Sequence, residues 1–190
     1  MNKNIFQRAF GLDLGGIDAE ARTLKCTFSS EEPYERYFGT EILDHSPDSI
    51  DMSRLRGGAA LLWNHNRDEQ IGVVESAEIK DKKLLATVRF SKNNELAKTI
   101  FSDIQDGIVR NVSIGYQITK MLDETPDKEE KRFRAVRWMP LELTICSVPA
   151  DQSVGIGRSS ELPEGVVIER QNEPAQPPKP EPVRKIIIIK

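Results

Sequence analysis

The chain has 190 residues, of which 38% are hydrophobic and 30% are charged, and its formal net charge is −3. This composition is typical of a soluble, intracellular globular domain, and the slightly acidic balance gives no electrostatic case for nucleic-acid binding. No apolar stretch approaches the roughly twenty residues that span a bilayer, and the N-terminus lacks the apolar region of a signal peptide. We therefore expect a cytoplasmic protein that binds neither nucleic acid nor membrane.

The first half of the chain predicts short β-strands, because its apolar, β-branched and aromatic residues alternate or cluster in short runs. The predicted strands cover 24–28, 34–43, 59–63, 70–80 and 83–91. The last two are expected to form a hairpin that turns at Asp81 and Lys82.

In the second half, apolar residues between Leu96 and Ile108 recur at helical spacing, with Asn93 or Asn94 as the N-cap and Gly107 at the end. Further strands are predicted at 112–119, 132–138 and 141–148. About seven strands with few helices predict a mainly β fold, a closed or nearly closed antiparallel barrel, which leaves no exposed edges.

We divide the chain into an N-terminal extension at 1–19, a folded domain at 20–157 and a tail at 158–190. Five prolines within 174–182 favour an extended, disordered linker. The tail ends in four consecutive isoleucines at 186–189. These fit either a docking peptide that adds as a strand to a partner, or the cut or fused end of a longer chain.

The two cysteines, Cys26 and Cys146, are far apart and lie in strand-like segments, so we expect buried, reduced thiols. Two cysteines and two histidines without close spacing argue against a structural zinc site. A metal-dependent nuclease could use the polar cluster at 64–66, but no convergent set of acidic ligands accompanies it. We expect no metal or cofactor.

Ser113 lies in a segment that can present a hydroxyl nucleophile. In a strand, Val112, Ile114 and Tyr116 would point to a core, so Ser113 and Gly115 would point the other way. We expect Ser113 to be presented to solvent, and Gly115 to leave room beside it for a substrate backbone. An isolated serine in a strand is usually structural, so the functional interpretation needs a partner base.

The chain has only two histidines, and imidazole is the usual base for a serine hydroxyl near neutral pH. His65 follows the apolar run at 59–63, where a strand leaves the core, and we choose it as the base. His45 lies among turn-forming residues at 44–48 and is interpreted as a solvated loop residue.

A Ser–His pair usually needs a third group that holds the imidazole in the correct tautomer, and a carboxylate can do this. Glu142 lies in the apolar segment 141–148, where a carboxylate is costly to bury unless it is paired. From the residues alone, a catalytic role and an ion pair with Lys or Arg explain this placement equally well.

Three motifs in this order resemble those of the prohead maturation proteases of tailed bacteriophages, and their spacing agrees over roughly 20–157. They are Trp-Asn-His-Asn at 63–66 with Gly-Val-Val at 72–74, Asn-Val-Ser-Ile-Gly-Tyr at 111–116, and Glu-Leu-Thr at 142–144 leading to Val-Pro-Ala-Asp at 148–151.

The resemblance implies a serine endopeptidase with a fold distantly similar to that of herpesvirus assemblins. By position, it implies Ser113 as nucleophile, His65 as base and Glu142 as third member. Assemblins use a second histidine as the third member, and His45 is the residue available for that role.

The resemblance also implies an enzyme that cleaves scaffolding segments of the capsid protein, and often itself, inside the immature shell. Its expected partners are the major capsid protein with its scaffolding segment, and further copies of the chain. Its expected location is the prohead in the host cytoplasm. The alternative is a catalytically inactive scaffold or capsid-assembly protein of the same fold, which would have no need of Ser113 and His65 together.

Overall fold

The computed structural model describes residues 5–11, 16–126, 130–148 and 163–170. Within these ranges, eleven strands form one sheet and two short helices pack beside it. The strands are β1 (Ile5–Gly11), β2 (Ile17–Asp18), β3 (Thr23–Ser30), β4 (Tyr34–Arg36), β5 (Gly39–Leu43), β6 (Ala60–Trp63), β7 (Asn66–Lys80), β8 (Lys83–Phe90), β9 (Asn111–Asp123), β10 (Arg132–Cys146) and β11 (Val167–Arg170). The helices are α1 (Ser53–Arg56) and α2 (Glu95–Gln105).

The main path through the sheet is β1-β9-β10-β6-β7-β8-β3-β2. Most neighbours are antiparallel, but β10 runs parallel to both β5 and β6, and β11 runs parallel to β9. The predicted mainly β fold is confirmed, whereas the prediction of about seven strands, all antiparallel, is wrong. In the part of the chain that the structure describes, no pairing joins the end strands β1 and β2, so the sheet is open and the closed barrel is not confirmed.

The core lies on one face of this sheet, and the predicted alternation holds along β9. Val112, Ile114, Tyr116 and Ile118 are all fully buried. Helix α2 covers part of the core with its apolar side, which consists of Ala97, Ile100, Phe101 and Ile104.

Helix α2 and the β7–β8 hairpin agree with the sequence. The Asn94 side chain caps α2 by accepting a hydrogen bond from the Ala97 N–H, and Gly107 follows the helix at φ +69°. Asp81 and Lys82 have φ 49° and 58° and form the two-residue turn of the hairpin. Both predictions are confirmed.

Two predicted strand boundaries are wrong. The segment 34–43 forms two strands, β4 and β5, which pair with each other as a hairpin. The segments 132–138 and 141–148 belong instead to one long strand, β10. Pro140 is accommodated within β10 because the register shifts between Pro140 and Glu142, a bulge where a residue without an N–H is tolerated.

Parts of both predicted terminal segments belong to the sheet. β1 and β2 lie within 1–19, and β11 lies within 158–190. Disorder throughout the tail is therefore wrong for 167–170, while the proline cluster and the isoleucine run lie outside the described residues. The domain boundaries themselves stay a prediction. None of the helices in the described ranges is long and apolar enough to cross a membrane.

Candidate active site

The pairing of β9 with β10 places Ser113 and Glu142 on the same face of the sheet. Ser113 lies opposite Thr144, and Gly115 lies opposite Glu142. Residues opposite each other in neighbouring strands point to the same side. Since Ile114 and Tyr116 point into the core, Ser113 and Glu142 share the outer face.

His65 reaches this face from the turn between β6 and β7. Asn64 and His65 have φ 49° and 58°, and Trp63 pairs with Asn66, so these two residues form the whole turn. Asn is favoured at such left-handed positions, and two-residue turns of this kind match the twist of the strands that they join. Because β6 lies beside β10, the turn projects His65 over the outer face.

Three hydrogen bonds fix the turn to β10 and to Ser147, the residue that follows β10. The His65 N–H donates to Thr144 Oγ1 at 3.1 Å, and the Asn64 N–H donates to the Ile145 carbonyl at 2.9 Å. Asn64 Oδ1 accepts a hydrogen bond from the Ser147 N–H at 3.0 Å. The position of the imidazole is therefore set by contacts to the same strand that carries Glu142.

The structure brings the three predicted residues into direct contact. His65 Nε2 lies 2.8 Å from Ser113 Oγ, and His65 Nδ1 lies 2.8 Å from Glu142 Oε1. These contacts fit a neutral imidazole whose Nδ1–H donates to the carboxylate and whose Nε2 accepts from the hydroxyl. The partner of Glu142 is thus His65, and no ion pair with Lys or Arg occupies this carboxylate among the described residues.

Two details of the site differ from the predictions. Ser113 is fully buried, so it is not presented to solvent, while the side chains of His65 and Glu142 are 14% and 15% exposed. The space beside Gly115 is not open for a substrate backbone, because a Cβ there would overlap the Glu142 carboxylate. Solvent therefore reaches the triplet at His65 and Glu142 and not at Ser113.

His45 is not a solvated loop residue, since it is only 3% exposed. Its Nδ1 lies 2.9 Å from the Leu43 carbonyl and its Nε2 lies 2.6 Å from Ser29 Oγ. The ring packs edge-on against Trp138. Both ring nitrogens are therefore engaged with partners other than the Ser113–His65–Glu142 triplet. Burial, the largest influence, lowers the pKa of His45.

Sequence reasoning missed Thr144 and Cys146 as neighbours of the triplet. Thr144 holds the His65 backbone, and the Cys146 thiol is a neighbour of the Ser113 hydroxyl. Burial raises the pKa of the Cys146 thiol to about 11, so the thiol is neutral near pH 7. The signal was available in the alternation of β10, because both residues share the outward side with Glu142.

Cys26 and Cys146 are both free and buried, which confirms the prediction of reduced thiols. Burial raises the pKa of Cys26 as well. In the described ranges, no group of three or more His, Cys, Asp or Glu side chains is arranged to hold a metal ion.

Comparison with known proteins identifies the family of the chain. The model of the family described as caudovirus prohead serine protease matches residues 26–163. This is well over half of the chain, so the chain belongs to that family, and the resemblance to phage prohead proteases is confirmed.

Two curated relatives carry capsid names. The chain is 46% identical over 149 residues to the major capsid protein of Halomonas phage phiHAP-1, and 28% identical over 153 residues to the capsid polyprotein of Pseudomonas phage PAJU2. Each match covers 76% of this chain but only 25% and 21% of these relatives, respectively. The chain therefore spans a quarter or less of the length of the relatives that it matches.

Among solved structures, the bacteriophage T4 capsid assembly protease has a similar fold. The TM-score is 0.57, and the match covers 77% of this chain and 98% of that protein. The sequence identity is 9%, so this likeness concerns the fold.

Proposed function

We propose that this chain is a serine endopeptidase that cleaves capsid scaffolding segments during prohead maturation. The observation that carries the proposal is the continuous contact from Ser113 through His65 to Glu142, with both distances at 2.8 Å. A nucleophile within hydrogen-bond reach of a base, and a base oriented by a third group, are what covalent catalysis by a hydroxyl requires.

In the proposed mechanism, His65 Nε2 takes the Ser113 proton while Oγ attacks a peptide carbonyl. The His65 imidazolium then gives that proton to the leaving amine, and an acyl-enzyme remains on Ser113. Water, deprotonated by His65, attacks the acyl group, and the proton returns to Ser113. Glu142 holds the imidazole with its Nδ1 proton in place and stabilises the charged ring.

The proposed substrate follows from the relatives. Proteins named as a major capsid protein and a capsid polyprotein contain a region similar to this chain, and that region is a quarter or less of their length. We infer that the chain acts on capsid polypeptide, including any part covalently joined to it. The proposed location is the interior of the prohead in the host cytoplasm, where further copies of the chain are close neighbours.

We further propose that the catalytic unit is 20–157 together with the strands β1 and β11 that pair with β9, and that the proline-rich chain beyond β11, at 171–190, acts as a tether or self-cleavage substrate. Proline-rich chain stays extended without a packed core, and confinement raises its effective concentration at neighbouring active sites. Mass spectrometry of concentrated protein should show the tail shortened in wild type and intact in Ser113→Ala. Equal trimming of both would mean that other proteases remove it.

The central test is loss of the nucleophile. Ser113→Ala should abolish cleavage, because losing the nucleophile of a comparable triad costs on the order of a millionfold in turnover. Ser76 is exposed on β7, so Ser76→Ala is the matched control and should process normally. Normal processing of co-expressed capsid polypeptide by the Ser113→Ala chain would overturn the assignment.

A second candidate, an inactive capsid-assembly protein of the same fold, is favoured by the full burial of Ser113. A fluorophosphonate probe separates the two, since it labels an activated serine. Labelling of wild type but not of Ser113→Ala supports the peptidase. Absence of labelling in folded wild type, at any concentration, supports the scaffold.

A further inference from the structure

On β9, the residues that follow Ser113 on the outer face of the sheet lie along two adjoining cavities. Gly115, Gln117 and Thr119 follow Ser113 at every second position, so they share its side of the strand. The first cavity, of about 600 Å³, is bordered by both Glu142 and Gln117. The second, of about 380 Å³, is bordered by both Gln117 and Thr119. A surface depression therefore begins at the triplet and follows β9.

The first cavity has an unbalanced charge. Arg54 from α1 and Arg67 from β7 both border it, and Glu142 is its only carboxylate. Glu142 is already engaged by His65 Nδ1. Within the described ranges, no hydrogen bond or ion pair engages the side chain of Arg54 or Arg67. The remaining lining residues carry no charge, so two arginines border this cavity without a counter-ion among its described lining residues other than Glu142.

We propose that this cavity is a substrate subsite that binds an Asp or Glu side chain of the cleaved polypeptide through Arg54 and Arg67. The inference rests on the proposed endopeptidase function and adds the class of substrate side chain. A carboxylate is the ligand that complements paired guanidinium groups, since these donate charge-assisted and often bidentate hydrogen bonds. The net charge of −3 would repel acidic peptides from the protein as a whole, so any preference for them must come from local arginines.

The strand spacing gives the position of the acidic residue. The first cavity is bordered by Glu142, which lies opposite Gly115, and by Gln117. These two positions on β9 are two and four residues from Ser113, which is about 7 to 14 Å along a strand. An extended peptide that follows the same positions advances by about the same length per residue. Its acidic side chain would therefore lie two to four positions from the scissile bond, on one side of it.

Cleavage profiling of a proteome-derived peptide mixture tests this position. Wild type should show enrichment of Asp and Glu at one position, two to four residues from the cleaved bond. In Arg54→Gln/Arg67→Gln, the preference for Glu over Gln there should fall by about tenfold. Reversal of both charges, in Arg54→Glu/Arg67→Glu, should shift the preference towards Lys and Arg.

Arg56 provides a matched control, because it is exposed on the same helix as Arg54 and does not border the cavity. Arg56→Gln removes the same charge as Arg54→Gln and should keep the wild-type profile. No acidic enrichment, or an enrichment that survives in Arg54→Gln/Arg67→Gln, would overturn the subsite. An equal loss of the acidic preference in Arg56→Gln would show a general electrostatic effect, and this would overturn the subsite as well.

A binding measurement separates this inference from the proposed catalysis. A peptide array probed with the Ser113→Ala chain should retain acidic peptides, and retention should weaken when Arg54→Gln is added but not when Arg56→Gln is added. If Ser113→Ala still cleaves peptides, the proposed mechanism fails while the array still reports on the subsite. If Ser113→Ala is inactive and the array shows no acidic preference, the subsite alone fails.

Discussion

The Glu142 carboxylate lies directly over Gly115 of the neighbouring strand. A Cβ added at Gly115 would lie well inside van der Waals contact of both carboxylate oxygens. Gly115 lies in the middle of β9, where no turn requires a glycine, so the missing side chain is what makes space for the carboxylate. The contact between Glu142 and His65 thus depends on the absence of a side chain at Gly115.

Gly115→Ala should therefore displace Glu142 from His65 while leaving the nucleophile in place. We expect turnover to fall as far as in a variant that lacks the carboxylate, because the same contact is lost. The measurement is a double-mutant cycle with Glu142→Gln. The two losses should not add, and full additivity would mean that Gly115→Ala acts elsewhere in the fold.

Glu142→Gln should retain the fold and lower turnover by about ten-thousandfold or less, as loss of a triad carboxylate does. The amide cannot stabilise the imidazolium, and its NH₂ group favours the wrong tautomer of His65. Glu75→Gln is the control, since Glu75 lies exposed on β7 and pairs with Arg89. Steady-state kinetics of both variants check this, and equal activity of the two would remove Glu142 from the mechanism.

The residues that form the site could be proposed from the sequence, but their geometry could not. The alternation of β9 predicts that Ser113 points away from the core, and this is what the structure shows. Its burial depends on how β6 and β10 are placed around it, and Glu142 and His65 are 77 positions apart in the chain. The register shift after Pro140 also decides which residue faces Gly115, and periodicity does not reveal such a shift.

The fold likewise has parts that local sequence patterns predict and parts that they do not. The β7–β8 hairpin and helix α2 follow from local patterns, and both were predicted. The parallel pairing of β10 with β5 and β6 depends on long-range order that no local pattern encodes. His45 was misplaced for a similar reason, because turn-forming neighbours indicate a loop but not whether Trp138 covers that loop.

Thr144→Val should loosen His65 without touching its ring. Thr144 is fully buried, and its hydroxyl accepts from the His65 N–H and donates to the Leu62 carbonyl at 2.9 Å. Valine has the same shape but removes both of these hydrogen bonds, which should cost about 1–3 kcal/mol of stability at a buried site. Misplacement of the base should also lower turnover, by up to roughly a hundredfold.

Denaturant unfolding and steady-state kinetics measure the two effects of Thr144→Val. Thr99→Val is the matched control, because Thr99 lies exposed on α2, where its hydroxyl donates to the Glu95 carbonyl. The control should keep wild-type turnover. A Thr144→Val variant with unchanged turnover would show that the turn at 64–65 is held well enough without this hydroxyl.

His45 should make folding stability depend on pH. Burial lowers its pKa below the ordinary value of 6.5, with a smaller lowering effect from Arg8, while the Leu43 carbonyl, Glu31 and Asp44 act in the opposite direction. A histidine with a lowered pKa in the folded state binds its proton more readily when unfolded. Its stabilising contribution is therefore complete above about pH 6.5, and it is lost as the pH falls from there towards the folded-state pKa.

The free energy of unfolding of wild type and His45→Gln should be compared in urea at pH 7.5 and pH 5.0. The difference between the two proteins should shrink at the lower pH, by at most about 1.4 kcal/mol per pH unit for one proton. Other titrating groups affect both proteins alike, so they cancel in this difference. A difference that stays constant from pH 7.5 to pH 5.0 would show that His45 titrates equally in both states, contrary to its burial against Trp138 and Ser29.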